Sequence, residues 1–168
     1  MQRVLIIGCG GSGKTTLAKK LADRYHLPLY HLDHYIWAPG WIQRPLDDID
    51  DDIRQLCEQP AWIIDGTYTK TLVERIRYAD TIIWLDLPRR VCLWRVFKRF
   101  VRMRWCGELV APGCPSTLNW RFLKYLWSFH RRFRPYIGAV IRALVGDKKL
   151  YVVRTQRELK ALEHRLLR

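Results

Sequence analysis

The residues Gly8-Cys9-Gly10-Gly11-Ser12-Gly13-Lys14-Thr15 follow the pattern G-x-x-x-x-G-K-[ST], and Thr16 comes next in the same turn. Such a loop turns its backbone amides inward around a chain of phosphates, and glycines permit the backbone angles and close approach this requires. Gly8, Gly10, Gly11, Ser12, Gly13, Lys14, Thr15 and Thr16 are the predicted phosphate-binding residues. Lys14 would meet the β and γ phosphates, and Thr15 would offer its hydroxyl oxygen to Mg2+. The dipole at the start of the following helix would add to the positive field.

Asp33, Asp65 and Asp86 each lie at the end of one of the next three apolar runs. In an open parallel sheet the carboxyl ends of strands face the ligand crevice, where an acid can hold Mg2+ or take a proton from an attacking hydroxyl. Helix capping or a loop salt bridge is the competing role, and Pro88 favours a turn beside Asp86. Guanine readers carry Asn/Thr-Lys-x-Asp, a pattern this chain lacks.

Hydrophobic periodicity supplies the elements that position these side chains. RVLII (3–7) reads as a buried strand running into the glycine loop, and TTLAKKLADRYH as the helix behind it. LPLYHLD (27–33), AWIIDGTY (61–68) and DTIIWLDLP (80–88) read as further strands, ending at Asp33, Asp65 and Asp86. YIWAPGWIQRP reads as a loop. The acidic cluster 47–52 precedes a helix over IRQLCEQ, where carboxylates favour the exposed amides, with metal binding as the alternative. TKTLVERIRY is a further helix. Helical patterns run from Arg89 to Arg104 and from Leu118 to Arg132, where Pro135 interrupts or closes the second. A strand KLYVV and a helix QRELKALEHRLL complete an α/β pattern with a parallel sheet. A helical lid inserted between about 99 and 119 is the only subdivision the pattern suggests within a single domain over 1–168.

The 168 residues fit one domain, and 49% hydrophobic with 27% charged residues excludes a disordered chain. No apolar run reaches the roughly 18 residues of a membrane helix. The amino-terminal stretch lacks the pattern of a secretory signal, so the expectation is a cytoplasmic protein without membrane contact. Five irregularly spaced cysteines read as reduced thiols, with Cys106 and Cys114 as half of a zinc site at most. The net charge of +14 is concentrated between Arg89 and Arg142, where 13 Lys and Arg face one acid, Glu108. Trp94, Trp105, Trp120 and Trp127 interleave with those cations, a composition suited to stacked bases and phosphates, or to the packed and solvated faces of ordinary helices.

The glycine loop, His31-Leu32-Asp33, Ile64-Asp65-Gly66, Leu85-Asp86-Leu87-Pro88-Arg89 and Arg95-x-x-x-Arg99 together resemble the adenylate kinase-related small P-loop kinases. HLD-x-x-x-W-x-P-G-W, W-x-I-D-G-x-Y and LD-x-P-R resemble, more narrowly, the DNA topology modulation proteins. The resemblance runs from Val4 to about Pro135. It implies a P-loop NTPase fold of the nucleoside monophosphate kinase type, with a five-stranded parallel sheet flanked by helices and an arginine-rich helical lid. It also implies Mg2+ and ATP, with Asp33 between the metal and the acceptor and Asp65 holding the metal through water. By the same resemblance Arg95 lies near the adenine and Arg99 clamps phosphates. Arg131, Arg132 or Arg134 would be a later lid arginine, and Arg154 and Thr155 would pass the adenine edge.

One departure concerns the acceptor. Adenylate kinases have Asp-Gly-Phe-Pro-Arg where this chain has Asp65-Gly66-Thr67-Tyr68, so an arginine is missing from the acceptor side. Trp37, Trp41 and Tyr68, with Asp33, are the predicted acceptor-binding residues; packing beneath a loop is the other role for the indoles. The catalytic set is Lys14, Asp33, Arg95 and Arg99, and the metal set Thr15, Asp33 and Asp65. The leading expectation is an ATP-dependent phosphotransferase acting on a small nucleotide or nucleoside. The alternative is a nucleic-acid-binding ATPase using the basic 89–142 segment. Nucleotide binding without turnover is a third reading, opposed by the intact Lys14, Thr15, Asp33 and Asp65.

Overall fold

The structure is a computed structural model that describes residues 1–106, 109–115 and 120–168. In chain order it begins with β1 (Arg3–Gly8), α1 (Lys14–Tyr25), β2 (Leu29–His31) and α2 (Leu32–Ile36). A short hairpin, β3 (Trp37–Ala38) and β4 (Ile42–Gln43), leads to α3 (Leu46–Glu58), β5 (Trp62–Asp65), a 3-10 turn Thr69–Thr71 and α4 (Leu72–Tyr78). Then follow β6 (Thr81–Leu85), α5 (Arg89–Cys106), a second hairpin of β7 (Leu109–Ala111) and β8 (Cys114–Pro115), and α6 (Trp120–Arg132). The chain finishes with α7 (Arg134–Leu144), β9 (Lys149–Val153) and α8 (Gln156–Leu167).

Five of the strands form one parallel sheet in the order β2-β5-β1-β6-β9. Val4 to Ile7 and Trp62 to Ile64 are buried, as the inner strands of a sheet covered on both faces must be. Leu17, Ala18 and Leu21 of α1 supply helical cover, as do Ile49, Ile53 and Cys57 of α3, at spacings that keep each set on one face. The register matters for function. His31 pairs with Asp65, Ile6 with Asp65, Gly8 with Leu85 and Leu85 with Val153. Strand ends carrying His31, Asp65, Gly8, Asp86 and Arg154 therefore share one edge of the sheet.

Several expected boundaries move. β2 stops at His31, so Asp33 sits on α2 and not at a strand end. β2 is an edge strand whose ladder to β5 ends at the His31–Asp65 pair; past it the chain has no partner strand and coils into a helix. The predicted loop over 35–45 contains the β3–β4 hairpin, turned by Pro39, Gly40 and Trp41, the latter two with φ of 79° and 62°. The acidic cluster lies inside α3, which starts at Leu46, with Asp47 and Asp48 in its first turn. α6 ends at Arg132, as expected for a helical run interrupted near Pro135, and the proline sits in the first turn of the next helix, α7, where a missing N–H costs nothing. Thr155 caps α8, accepting from the Glu158 N–H at 3.1 Å, while Glu158 accepts from the Arg154 N–H at 2.7 Å. Among the described residues no helix is long and apolar enough to cross a membrane.

Arg75 of α4 is fully buried. It donates to Gly66 O at 2.9 Å, to Thr71 Oγ1 at 3.2 Å and to Tyr68 O, so it pins the segment that follows Asp65. Burial lowers its pKa to about 10, which leaves it protonated at neutral pH. Replacing it by an apolar chain of similar length would leave buried carbonyls without donors. Arg75→Met is expected to lose about 2–4 kcal/mol of stability, read as a lower urea midpoint with unchanged slope.

Candidate functional site

The loop between β1 and α1 is held from three sides. Gly11 has φ 78°, and a Cβ there would run into the Cys92 carbonyl and Val96 of α5. Gly13, with φ 99°, is the left-handed N-cap that launches α1. Arg95 of α5 donates from Nη1 to Ser12 O at 2.8 Å, and Leu126 and Phe122 of α6 close over Gly10. From the β5 side, Thr67 Oγ1 donates to Gly8 O at 2.6 Å and accepts from Gly8 N at 2.9 Å. Lys14 Nζ donates to Cys9 O at 3.1 Å, which keeps the ammonium over the loop.

Asp65 is 4% exposed and both its oxygens are engaged. Thr15 donates to Oδ2 at 2.6 Å and His31 Nδ1 lies 2.6 Å from Oδ1. Burial pushes this carboxyl up, but the His31 hydrogen bond and charge, with Thr15 and Lys14, outweigh it and hold the pKa below the ordinary aspartate value. Thr15 and Asp65 are hard oxygen donors side by side at the mouth of the loop, a set that suits Mg2+. Among the described residues no group of three or more His, Cys, Asp and Glu gathers as a metal cage. Mg2+ in phosphate sites takes one or two protein oxygens and draws the rest from phosphates and water.

Asp33 behaves in the opposite way. It is exposed, and among the described residues its carboxylate makes no hydrogen bond or ion pair. Desolvation by the neighbouring protein raises its pKa, Lys14 and Arg99 pull it down, and Asp65 adds to the rise. Arg99, one helical turn beyond Arg95, shares the field of Asp33, and its Nε is buried without a partner. The structure thus brings Lys14, Thr15, Asp33, Asp65 and Arg99 into one cluster. His34, stacked edge-on against His31 with centroids 5.2 Å apart, stands beside it, its pKa lowered by burial and by His31.

Other expected residues lie at or outside its margin. Thr16 is exposed on the first turn of α1. Arg154 is exposed, 3.9 Å from Asp86. Asp86 itself takes the salt-bridge role: Arg134 clamps it through Nε and Nη2 at 2.8–2.9 Å, fastening the start of α7 to the end of β6. Arg131 and Arg132 are exposed on α6. Trp37 and Trp41 pack edge to face, centroids 5.8 Å apart, and the Tyr68 hydroxyl is buried without a partner. Their hairpin meets the β7–β8 hairpin: Gly40 N donates to Gly113 O at 3.0 Å, and Cys114 Sγ to Ala38 O at 3.3 Å. Of the expected lid and zinc residues, positions 107–108 and 116–119 and the Cys106 side chain lie outside the described residues, while Cys114 is a buried free thiol. A surface concavity of about 550 Å3 between α3 and α4 lies away from the loop, and its Arg54 is paired with Asp51 and Glu74.

Sequence reasoning missed His31, Thr67 and Arg75 as supports of the site. His31 stood in view within the His-Leu-Asp motif; its partner was not legible without the β2–β5 register. The two acids should differ in their effect on stability. Asp65, with a lowered folded pKa, stabilises the fold above the ordinary aspartate pKa and loses that contribution as pH falls through its folded value. Asp33, with a raised one, carries a penalty above its folded pKa that is absent below the ordinary value. Asp65→Asn is expected to lose about 1–3 kcal/mol at pH 7, and Asp33→Asn to melt above the parent. Both differences should shrink as pH falls towards about 3, and melts in which the two substitutions shift stability in the same direction at pH 7 would contradict this assignment.

No protein-family model matches the chain, and no curated protein matches it. Solved structures do. A shikimate kinase from Acinetobacter baumannii in complex with shikimate aligns with TM-score 0.64 at 16% identity, over 99% of this chain and 93% of its own. A sugar kinase from Janibacter sp. HTCC2649 gives TM-score 0.57 at 21% identity, over 99% and 92%. Deoxyadenosine kinase from M. mycoides, with products dCMP and dCDP bound, gives TM-score 0.55 at 12% identity, over 97% of each chain. The chain has the α/β fold of these small kinases, a five-stranded parallel sheet flanked by helices.

Proposed function

We propose that this protein is an ATP-dependent phosphotransferase that moves the γ-phosphoryl group of Mg·ATP to a small acceptor of the nucleotide or nucleoside class. The observation that carries this reading is the convergence of Lys14, the Thr15–Asp65 pair, Arg99 and an unpartnered Asp33 beyond one phosphate loop. Phosphoryl transfer asks a protein for alignment, positive charge and exclusion of water, and this cluster is arranged to supply the first two.

In this reading the loop amides from Gly8 to Thr16 cradle the phosphates, and Lys14 and Arg99 stabilise the charge that develops on the moving group. Mg2+, held through Thr15 and Asp65, would neutralise the β and γ oxygens. Asp65 is kept ionised for that duty by His31 and Thr15. Arg95 braces the loop through Ser12 O and offers its remaining donors towards the nucleotide side, where Arg154 borders the crevice. Residues from about 99 to 119 act as the lid, and contact between the two hairpins closes the acceptor side, near Trp37, Trp41 and Tyr68. The motifs shared with the DNA topology modulation proteins then mark a kinase site. We place the protein in the cytoplasm, where its thiols stay reduced.

A second reading rests on one surface. Trp94 and Phe97 stack on α5 with Lys98 over the Trp94 ring, and Arg89 lies 4.1 Å from the centroid of Trp127 on α6. Exposed rings beside cations suit single-stranded nucleic acid, whose binding would weaken steeply with salt. Incubation with γ-labelled Mg·ATP separates the two. Label recovered on an organic acceptor, lost by at least about a hundred-fold in Lys14→Ala, supports the phosphotransferase. Label released only as inorganic phosphate, and faster with DNA or RNA, supports the nucleic-acid-dependent ATPase.

A further inference from the structure

We infer that Cys9 and Cys92 are an oxidisable dithiol, which hydrogen peroxide converts to a disulfide that ties the phosphate loop to α5 and closes the loop to nucleotide. The pairing stands on the packing of the loop; its effect on nucleotide rests on the phosphotransferase reading.

Cys9 is the second residue of the loop and Cys92 the fourth of α5. Their side chains hydrogen-bond to each other, and both are free thiols within the core. The backbones on either side hold them together. A Cβ on Gly11 would strike the Cys92 carbonyl, and Arg95, one turn after Cys92, donates to Ser12 O at 2.8 Å. Cys92 Sγ also donates to Leu87 O at 3.8 Å, which aims it away from its own helix. The Cys9 carbonyl accepts from Ser12 N and from Lys14 Nζ, both at 3.1 Å. The contact thus joins a residue whose backbone shapes the phosphate cradle to one fixed on a helix.

Peroxide reacts with a thiolate, and a cysteine buried among apolar groups is a poor source of one. Cys57 on α3 is such a residue, its thiol pushed up to about 11 by burial. The pair is different. Cys9, hydrogen-bonded to Cys92 and buried, is pushed up, while the hydrogen bond from Cys9 holds Cys92 below the ordinary cysteine value, helped by Lys14 and Arg95 against burial. Cys92 is therefore the attacking sulfur, and Cys9 is the resolving thiol already beside it. In a reducing compartment the dithiol is the resting state.

The chemistry balances with one peroxide. The Cys92 thiolate attacks a peroxide oxygen, the O–O bond breaks, and the hydroxide that leaves takes up the Cys92 proton as water. The sulfur of Cys9 then attacks the Cys92 sulfenic acid, the S–S bond forms as the S–O bond breaks, and the departing oxygen leaves as water with the Cys9 proton. Two thiols have lost two electrons and the peroxide has become two waters. The new bond is shorter than the hydrogen-bonded contact it replaces, so Cys9 is drawn towards α5 and the loop amides lose their common focus on the phosphates.

The experiment treats the reduced full-length protein with hydrogen peroxide, blocks the remaining thiols, and maps the peptides by mass before and after dithiothreitol, with Mg·ATP affinity measured by calorimetry on the same samples. The expected result is a linked Cys9–Cys92 peptide pair that forms before Cys57 is oxidised. The Kd for Mg·ATP should rise by about 5–150-fold and return with dithiothreitol. Cys92→Ala is expected to keep its Mg·ATP affinity through the same treatment. Oxidation of Cys57 with no Cys9–Cys92 link would overturn the inference and leave the phosphotransferase reading standing, as would a link that left Mg·ATP affinity unchanged. Loss of affinity that persisted in Cys92→Ala would also overturn it, by placing the sensitive group elsewhere. Reduced protein that bound no Mg·ATP would remove the phosphotransferase reading, and the closure with it.

Discussion

The site depends on keeping one buried carboxylate charged. Asp65 stands at the end of a central strand, 4% exposed, where an unpaired anion would cost several kcal/mol. Its two partners come from its neighbours on either side: His31 from the edge strand β2, and Thr15 from the first turn of α1. A single ionised group thereby fastens the phosphate loop to two strands. Because the partners approach different oxygens, loss of either would leave the other half of the arrangement in place but misaligned.

The parallel register makes this possible. His31 and Asp65 are direct neighbours across the β2–β5 ladder, and Gly8 meets Leu85 across the β1–β6 ladder, so the ends of four strands lie level. Whatever follows each strand end is delivered to the same crevice: the loop after Gly8, α2 with Asp33, the Thr67 segment and Asp86. The chain uses these deliveries differently. Asp65 divides its oxygens between Thr15 and His31, Thr67 spends its hydroxyl on Gly8, Asp86 is taken by Arg134, and Asp33 makes no hydrogen bond or ion pair among the described residues. The three aspartates look alike in sequence, and the described structure separates them by these partners.

That distinction explains what could be read without coordinates. The phosphate loop, the five parallel strands and the run of α8 follow from local pattern, because glycine spacing, apolar runs and a Thr155–Glu158 cap act within a few residues. Asp33 was expected at a strand end and not on a helix, since where β2 ends is decided by the ladder it shares with β5. His31, Thr67 and Arg75 act across 34, 59 and up to 9 positions of sequence, and nothing in their immediate surroundings announces their partners. The Arg134–Asp86 pair spans 48 positions and was equally hidden, which is why Arg134 stood among the lid candidates.

The basic helix α5 gains its meaning from spacing. Cys92, Val96 and Arg95 lie against the phosphate loop, and Arg99 follows Arg95 by four residues, one turn further along the same face. The first arginine is fixed by Ser12 O, and with it the direction of the helix; the second is carried by that fixed axis into the field of Asp33. Farther along the chain the β7–β8 hairpin touches the turn of the β3–β4 hairpin at Gly40 and Ala38. α5 thus contacts the loop at its first turns, and the hairpin that comes after it in the chain touches the β3–β4 turn. Positive charge on this part of α5 therefore lies beside the loop and Asp33, while the face bearing Trp94, Phe97 and Lys98 is left to solvent.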